Sequence, residues 1–315
     1  MKLIKPATIL LIGAFYTALT AFSAGGPKLP HPPQRAAVRT IIIDPGHGGF
    51  DTGTKGLQIA EKEVALDVAM KLGKLIEETW PDVKIVYTRT TDIMPGGGST
   101  IASGLNYRAD LANKSRGDIF IALHCDNDGH PAGPFTVHRI VGHKYVGKGK
   151  RRRRVPIYES YTGRHTRKGT ETFIWKAEKA GDKNMAIISG EGEVTDSAGE
   201  AESDSLAFDM DSPEARMRAQ LYEKKYFANS ALFATLVEDE FAKAGRASEG
   251  VFQRDVGIRV LQATGMPSVL IEMGFLSNVE EEQYLISEDG QNEVARNIMD
   301  ALRRYKATLE GHATN

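Results

Sequence analysis

His47, Glu61, His124 and Glu272 are the side chains of this 315-residue sequence whose types and settings could do chemistry. His47 lies in the stretch Thr40 to Gly53, TIIIDPGHGGFDTG, where Ile41 to Ile43 predict a short buried strand that halts at Asp44-Pro45. Gly46, Gly48 and Gly49 then surround the imidazole, and glycines let a backbone approach a ligand closely or take φ > 0. A tight turn with an incidental surface histidine is the plain alternative for GHGG alone. Against it, two further predicted strands end in the same way, on His124 and on Glu272. Two imidazoles and a carboxylate form a donor set found in hydrolytic zinc sites that leave a fourth position for water. Zinc lowers the pKa of that water to about 7 and polarises a carbonyl. Glu272, closing the strand VLIE, is then the candidate general base and the acid that protonates a leaving amine. The set calls for one Zn2+ per chain.

These residues need elements that converge. A helix is predicted from about Glu61 to Glu78, with Ala65, Val68, Ala69, Leu72, Leu75 and Ile76 at 3.6-residue spacing. Glu61 lies on that apolar stripe, where an unpaired charge is costly, so it reads as a ligand facing the His47 turn. Equally, it reads as a first-turn acid favouring the helix dipole. Glu63, about 200° round the helix at ~100° per residue, points to solvent. Strands follow at Val83 to Thr88 and Asp118 to Leu123, with a helix around Leu105 to Lys114 between them, and then strands at Thr170 to Trp175, Val256 to Leu261 and Ser268 to Ile271. A closing helix carries Val294, Ile298 and Leu302. The alternation predicts right-handed crossovers in a largely parallel sheet, with the ligand site beyond the carboxyl ends of the strands. The fold class is therefore α/β: a single domain, residues 39–309, with a mostly parallel twisted sheet of about six strands flanked by helices.

Two charged insertions interrupt it. Residues 129–168 carry Arg139, Lys144, Lys148, Lys150, Arg151 to Arg154, Arg164, Arg167 and Lys168 against one acid, Glu159. They read as a solvated, mobile insertion, or as an electrostatic contact with an anionic polymer that salt would weaken. Residues 184–226 begin with an acidic stretch free of Lys and Arg up to Ala215, a poor core-former. Asp211-Ser212-Pro213-Glu214 then starts a helix, with Ser212 as cap and Pro213 at the first position, running to Gly245 as one helix or two.

With 40 Lys and Arg against 41 Asp and Glu, the net charge of −1 argues against a dedicated nucleic-acid binder. Lys2 and Lys5 precede an apolar run from about Ala7 to Ala21, with Ala21 and Ser23 set for a cleavage site. Residues 1–23 therefore read as a signal peptide too short for a membrane anchor, 24–38 as a linker and 310–315 as a tail. The mature chain is expected outside the cytoplasm, in the periplasm, cell envelope or medium, without stable membrane insertion, and as a monomer. Cys125 is the only cysteine, so no intramolecular disulfide forms. As a nucleophile it is badly placed, because adjacent strand residues point to opposite faces. No GxSxG elbow is present, and His31, His130, His138, His143, His165 and His312 lack ligand spacing.

The ordered motifs DPGHGGFDTG, AEKEVAL, TRTTD, YRADLAN, DIFIALHCD, GTETFIW and MPSVLIEMGFLSN resemble the zinc-dependent N-acetylmuramoyl-L-alanine amidases that include the bacterial cell-separation amidases. The resemblance runs from about Thr40 to Leu309, outside the insertions. It implies that His47, Glu61 and His124 bind zinc and that Glu272 is the catalytic glutamate. The implied substrate is peptidoglycan, cut at the amide between the lactyl group of N-acetylmuramic acid and L-alanine of the stem peptide. Cys125 stands where the family commonly has Ala. The segment 184–245 falls where some members carry a helix that blocks the zinc cleft until an activator protein displaces it, so autoinhibition is a hypothesis here. A zinc carboxypeptidase is the alternative enzyme, with Arg89 and Arg108 as its carboxylate clamp; these two and Asn278 are the candidate substrate-binding side chains. A non-catalytic wall-binding protein is the third reading, and retention of all four site residues argues against it.

Overall fold

The computed structural model describes residues 38–176, 183, 186, 187, 213–254 and 256–312. The expected signal peptide, all of the linker but Val38, most of the acidic stretch and the Ser212 cap lie outside the described residues.

In chain order the elements are β1 (Thr40–Pro45), α1 (Glu61–Thr79), β2 (Lys84–Tyr87), α2 (Ile101–Lys114), β3 (Ile119–Asp126), β4 (Phe135–Val146), β5 (Arg153–Gly163), β6 (Thr170–Trp175), α3 (Pro213–Lys243), β7 (Ser248–Arg254), α4 (Arg259–Ala263), β8 (Ser268–Phe275), α5 (Val279–Ile286) and α6 (Glu288–His312). Six strands form one sheet in the order β2-β1-β3-β8-β6-β7. The first four are mutually parallel, while β6 runs antiparallel to β8 and takes β7 along beside it.

The period of two along each strand sorts side chains between two apolar layers. Ile41, Ile43, Ile121, Leu123 and Ile271 face one layer, built with α1, the second half of α3, and α6. Ile42, Phe120, Ala122 and Leu270 face the other, closed by Ala112 of α2 and by Val260 and Leu261 of α4. Burial on both faces explains why these strands read as continuous apolar runs. It also fixes what the strand ends present. His124 continues the Phe120 and Ala122 face, Glu272 continues the Leu270 face, and the two residues are direct partners in the β3–β8 register.

Two expectations change and one open reading is resolved. The strand placed at Val256 to Leu261 is β7 at Ser248–Arg254 followed by the short helix α4. Gly257, at φ +76°, breaks the apolar run, so Ile258, Val260 and Leu261 fill the core from a turn and a helix. The basic insertion is an ordered antiparallel hairpin, β4 paired with β5 from Phe135↔Gly163 to Val146↔Arg153. Its β-branched and aromatic residues form a ladder despite the charge. Finally, α3 is one continuous helix of 31 residues.

Candidate metal centre and active site

The turn after β1 is shaped to aim one imidazole. His47 itself takes φ +59° and Gly48 φ +124°, a left-handed excursion that costs a non-glycine residue energy and needs outside support. Two buried arginines supply it. Arg89, just beyond β2, donates from Nε to the Pro45 carbonyl (3.1 Å), from Nη2 to the Gly46 (2.7 Å) and Lys62 (2.6 Å) carbonyls, and from Nη1 to Thr91 (3.2 Å). Arg108 of α2 donates to the Pro45 carbonyl (2.8 Å) and the His47 carbonyl and pairs with the buried Asp44 carboxylate. Both guanidinia, expected as substrate contacts, face the main chain of the turn. Burial and the neighbouring Arg108 pull Arg89 down to about 10, which leaves it a cation at neutral pH. Asn278 caps α5, accepting from the Glu280 N–H (2.9 Å) while its amide donates to the Arg167 carbonyl (3.0 Å).

His47, Glu61 and His124 come together, with one potential ligand atom from each lying within 4.8 Å of the others. Glu61 Oε1 sits 3.1 Å from His47 Nε2 and 2.7 Å from His124 Nδ1. Two of the remaining atoms are held. His47 Nδ1 faces Asp51 Oδ2 at 2.9 Å, and Glu61 Oε2 accepts from the Thr54 N–H at 2.7 Å. A carboxylate behind one imidazole orients the ring and raises its basicity as a ligand. The turn leaves no slack around the rings: a Cβ on Gly46 would lie 2.5 Å from His124 Cε1, and one on Gly53 would lie 2.6 Å from His47 Cδ2. Two imidazoles and a buried carboxylate with outer partners already in place fit a divalent metal ion of borderline softness. Among the described residues this is the only such group of His, Cys, Asp and Glu.

Burial and ion pairing oppose each other at these side chains. Burial works against the Glu61 carboxylate, but hydrogen bonds from His124 and His47 win and hold it far below the usual carboxylate range. Burial likewise opposes the His47 imidazolium, and Glu61 and Asp51 outweigh it, raising His47 above 6.5. Glu63 takes the other fate expected of it, exposed and accepting from the Ala60 N–H (3.0 Å) at the start of α1.

Glu272 stands beside His124 in the sheet, almost wholly buried, and its Oε2 has no hydrogen-bond partner. Burial first, then Glu61 and Asp126, pushes its carboxyl well above 4.5. An orphaned carboxylate oxygen is free to take and give a proton. Cys125 points into the opposite layer, where burial raises its thiol well above 9.0 and keeps it protonated.

Sequence reasoning missed Asp51, the Thr54 N–H, Glu171 and Arg254. Glu171 of β6 is the register partner of Glu272, and Arg254 of β7 lies 3.9 Å from Glu272 Oε1. Asp51 had a legible signal, four residues after His47 in the same glycine-rich turn; the others depend on strand order. A mostly apolar cavity of about 240 Å³ opens beside the cluster, lined by His47, His124, Met94, Leu105, Arg108 and Ile258 among others. None of its described lining residues comes from the insertion at 184–226. The described first half of α3 lies elsewhere: Tyr222 and Tyr226 line a second cavity with Gly117 and Asp118, at the amino end of β3.

A model of the N-acetylmuramoyl-L-alanine amidase family matches residues 41–304. The N-acetylmuramoyl-L-alanine amidase AmiC of Escherichia coli O6:H1 is 29% identical over 284 residues, 88% of this chain and 56% of that protein. The germination-specific N-acetylmuramoyl-L-alanine amidase of Bacillus subtilis is 23% identical, over 85% of this chain and 79% of that protein. The chain spans about half the length of the AmiC relative. Among solved structures, the CwlD amidase of Clostridioides difficile, in complex with the GerS lipoprotein, aligns with a TM-score of 0.52 at 20% identity, covering 86% of this chain and 99% of that one. That likeness shows the shared fold.

Proposed function

Because this chain belongs to the N-acetylmuramoyl-L-alanine amidase family, we propose that it hydrolyses peptidoglycan at the amide between the muramic acid lactyl group and L-alanine, with one zinc ion held by His47, Glu61 and His124. When bound, zinc polarises the scissile carbonyl and makes a water acidic enough to react at neutral pH. Glu272 accepts the proton of the attacking water at its free Oε2 and returns it to the amide nitrogen as the C–N bond breaks. The products are a lactyl carboxylate and a peptide beginning with alanine. Asp51 orients His47, and Arg89 and Arg108 hold the turn that carries it. The observation that carries this reading is the juxtaposition of a His-Glu-His set with an orphaned, buried Glu272 one strand away. A carboxypeptidase clamp finds no support, since both arginines are turned to main-chain carbonyls.

The expected test is Glu272→Gln. Loss of the proton carrier should lower stem-peptide release by roughly 10²–10⁴-fold while zinc content stays at one per chain. Turnover near the parent rate would remove Glu272 from the mechanism.

We place the reaction outside the cytoplasm on the apolar run after Lys2 and Lys5; among the described residues no helix is long and apolar enough to cross a membrane. The first half of α3, the described end of the insertion at 184–226, is read as a docking element for an activating partner. Met217 and Leu221 of α3 are each 64% exposed, and α3's described part stays away from the cavity beside the cluster.

A further inference from the structure

The β4–β5 hairpin forms a sheet of its own, separate from the six-stranded one. Among the described residues its strands of 12 and 11 residues pair only with each other, and two-stranded ribbons are marginal in water without a third strand or a helix to pack on. Along the ribbon Ile140, Val141, Tyr145, Tyr158 and Tyr161 are at least half exposed. At its far end, residues 144–154 hold seven Lys and Arg and no acid. One acid, Glu159, lies in the strands, and Arg139 already neutralises it. On the face carrying Ile140, Tyr145 and Tyr158, the polar ring and cationic partners are His138, His143 and Arg154, and Arg152 lies over the Tyr145 ring at 4.4 Å.

The base of the ribbon is built to hold a direction. His165, its side chain nearly buried, faces the Asp128 carboxylate with Nδ1 (2.6 Å) and the carbonyls of Pro131 and Gly133 with Nε2 (2.9 and 2.8 Å), and His130 stacks on Phe135 at 3.9 Å. That base joins the metal centre directly. Asn127, just past β3, donates to Thr54, whose N–H holds Glu61. A groove of about 470 Å³ runs along this base, lined by Thr54, Lys55, Gly56, Asn127, Gly129 and His130.

We propose that the hairpin is a substrate-holding arm that binds the carboxylate-bearing glycan–peptide polymer of the wall through its basic tip and tyrosines, outside the metal cleft. The proposal rests on the amidase reading for its choice of polymer. Arginine forks recognise carboxylates, and exposed aromatic rings offer flat apolar faces with a polar tip, the combination a sugar ring requires. The order of the features disfavours a bilayer, because the apolar belt lies behind the cationic tip rather than at the end that would enter hydrocarbon. A long polymer held beside the cluster would present successive muramyl amides to one site, raising their effective concentration.

The test is co-sedimentation of the full chain with purified, insoluble peptidoglycan in chelator, so that hydrolysis does not enter, across a salt series. The parent should pellet, and its binding should fall as salt screens the contact. The variant Arg151→Gln/Arg152→Gln/Arg153→Gln/Arg154→Gln should retain roughly tenfold less, as expected when a focused positive field is removed. Lys148→Gln/Lys150→Gln, which touches no strand residue, should fall between. A charge-matched control, Lys71→Gln/Lys74→Gln/Lys84→Gln/Lys114→Gln, should bind as the parent does. Binding by the arginine variant equal to the parent's, an equal loss in the lysine control, or parental binding to phosphatidylglycerol vesicles but not to peptidoglycan would each overturn the proposal. Stem-peptide release by the zinc-loaded parent is read separately. Its absence with sedimentation intact would strike the amidase reading and leave the arm standing.

Discussion

Glu61 and Glu63 lie two residues apart on one helix and have opposite fates, which makes them the sharpest test at the scale of single residues. Glu61 is 3% exposed between two imidazoles, while Glu63 caps the first turn of α1 in solvent. Glu61→Gln should weaken zinc binding by more than about 100-fold, beyond what an outer partner contributes, and Asp51→Ala by about 10–100-fold. Glu63→Gln should leave zinc affinity unchanged, costing only a cap; calorimetric zinc titration of the three variants reads all of this. Equal affinities for Glu61→Gln and Glu63→Gln would reverse the face assignment. Helical periodicity alone separated the two acids, because the stripe through Ala65, Val68 and Leu72 fixes which side of α1 is buried. Asp51 was harder to assign, since its role depends on His47 turning back at φ +59°.

At the scale of elements, the turn between β1 and α1 depends on Arg89, whose one guanidinium satisfies four carbonyls from three segments. Arg89→Met should cost about 2–4 kcal/mol, because buried acceptors lose charged donors, and should weaken zinc binding along with stability. Arg89→Lys should rescue little of either, since an ammonium lacks the planar fork. Thermal unfolding with and without zinc would check both; a lysine variant as stable as the parent would contradict the account. The sequence suggested Arg89 as a substrate contact because a carboxypeptidase would need a cationic clamp for a terminal carboxylate. Only the path of the backbone reveals that carbonyls are the partners. A similar limit explains β7 and α4. The run VGIRVL has a strand's composition, and Gly257 alone interrupts it, whereas the real edge strand, SEGVFQR, is too polar and exposed to announce itself. The central strands were legible as continuous apolar runs, being buried on both faces.

At the scale of the whole molecule, metal binding and stability should be linked through protons. In metal-free protein the raised His47 contributes stability that is fully present below 6.5 and lost as pH rises through its higher folded value. The depressed Glu61 contributes stability present above 4.5 and lost as pH falls through its lowered value. The cluster alone is therefore most stabilising between 4.5 and 6.5. Chelated protein should melt at a higher temperature at pH 6 than at pH 8, and zinc, which needs His47 deprotonated, should narrow or reverse that gap. A chelated protein with no such difference would mean that the cluster is not charge-coupled as described. Catalysis itself is tested most directly by digesting purified peptidoglycan with the mature protein, with chelator, and with zinc restored, and identifying the products by mass spectrometry. Free stem peptides beginning with alanine, lost on chelation and regained with zinc, are the expected products. Alanine-headed peptides released equally in chelator, or none released by folded, zinc-loaded protein, would contradict the zinc mechanism.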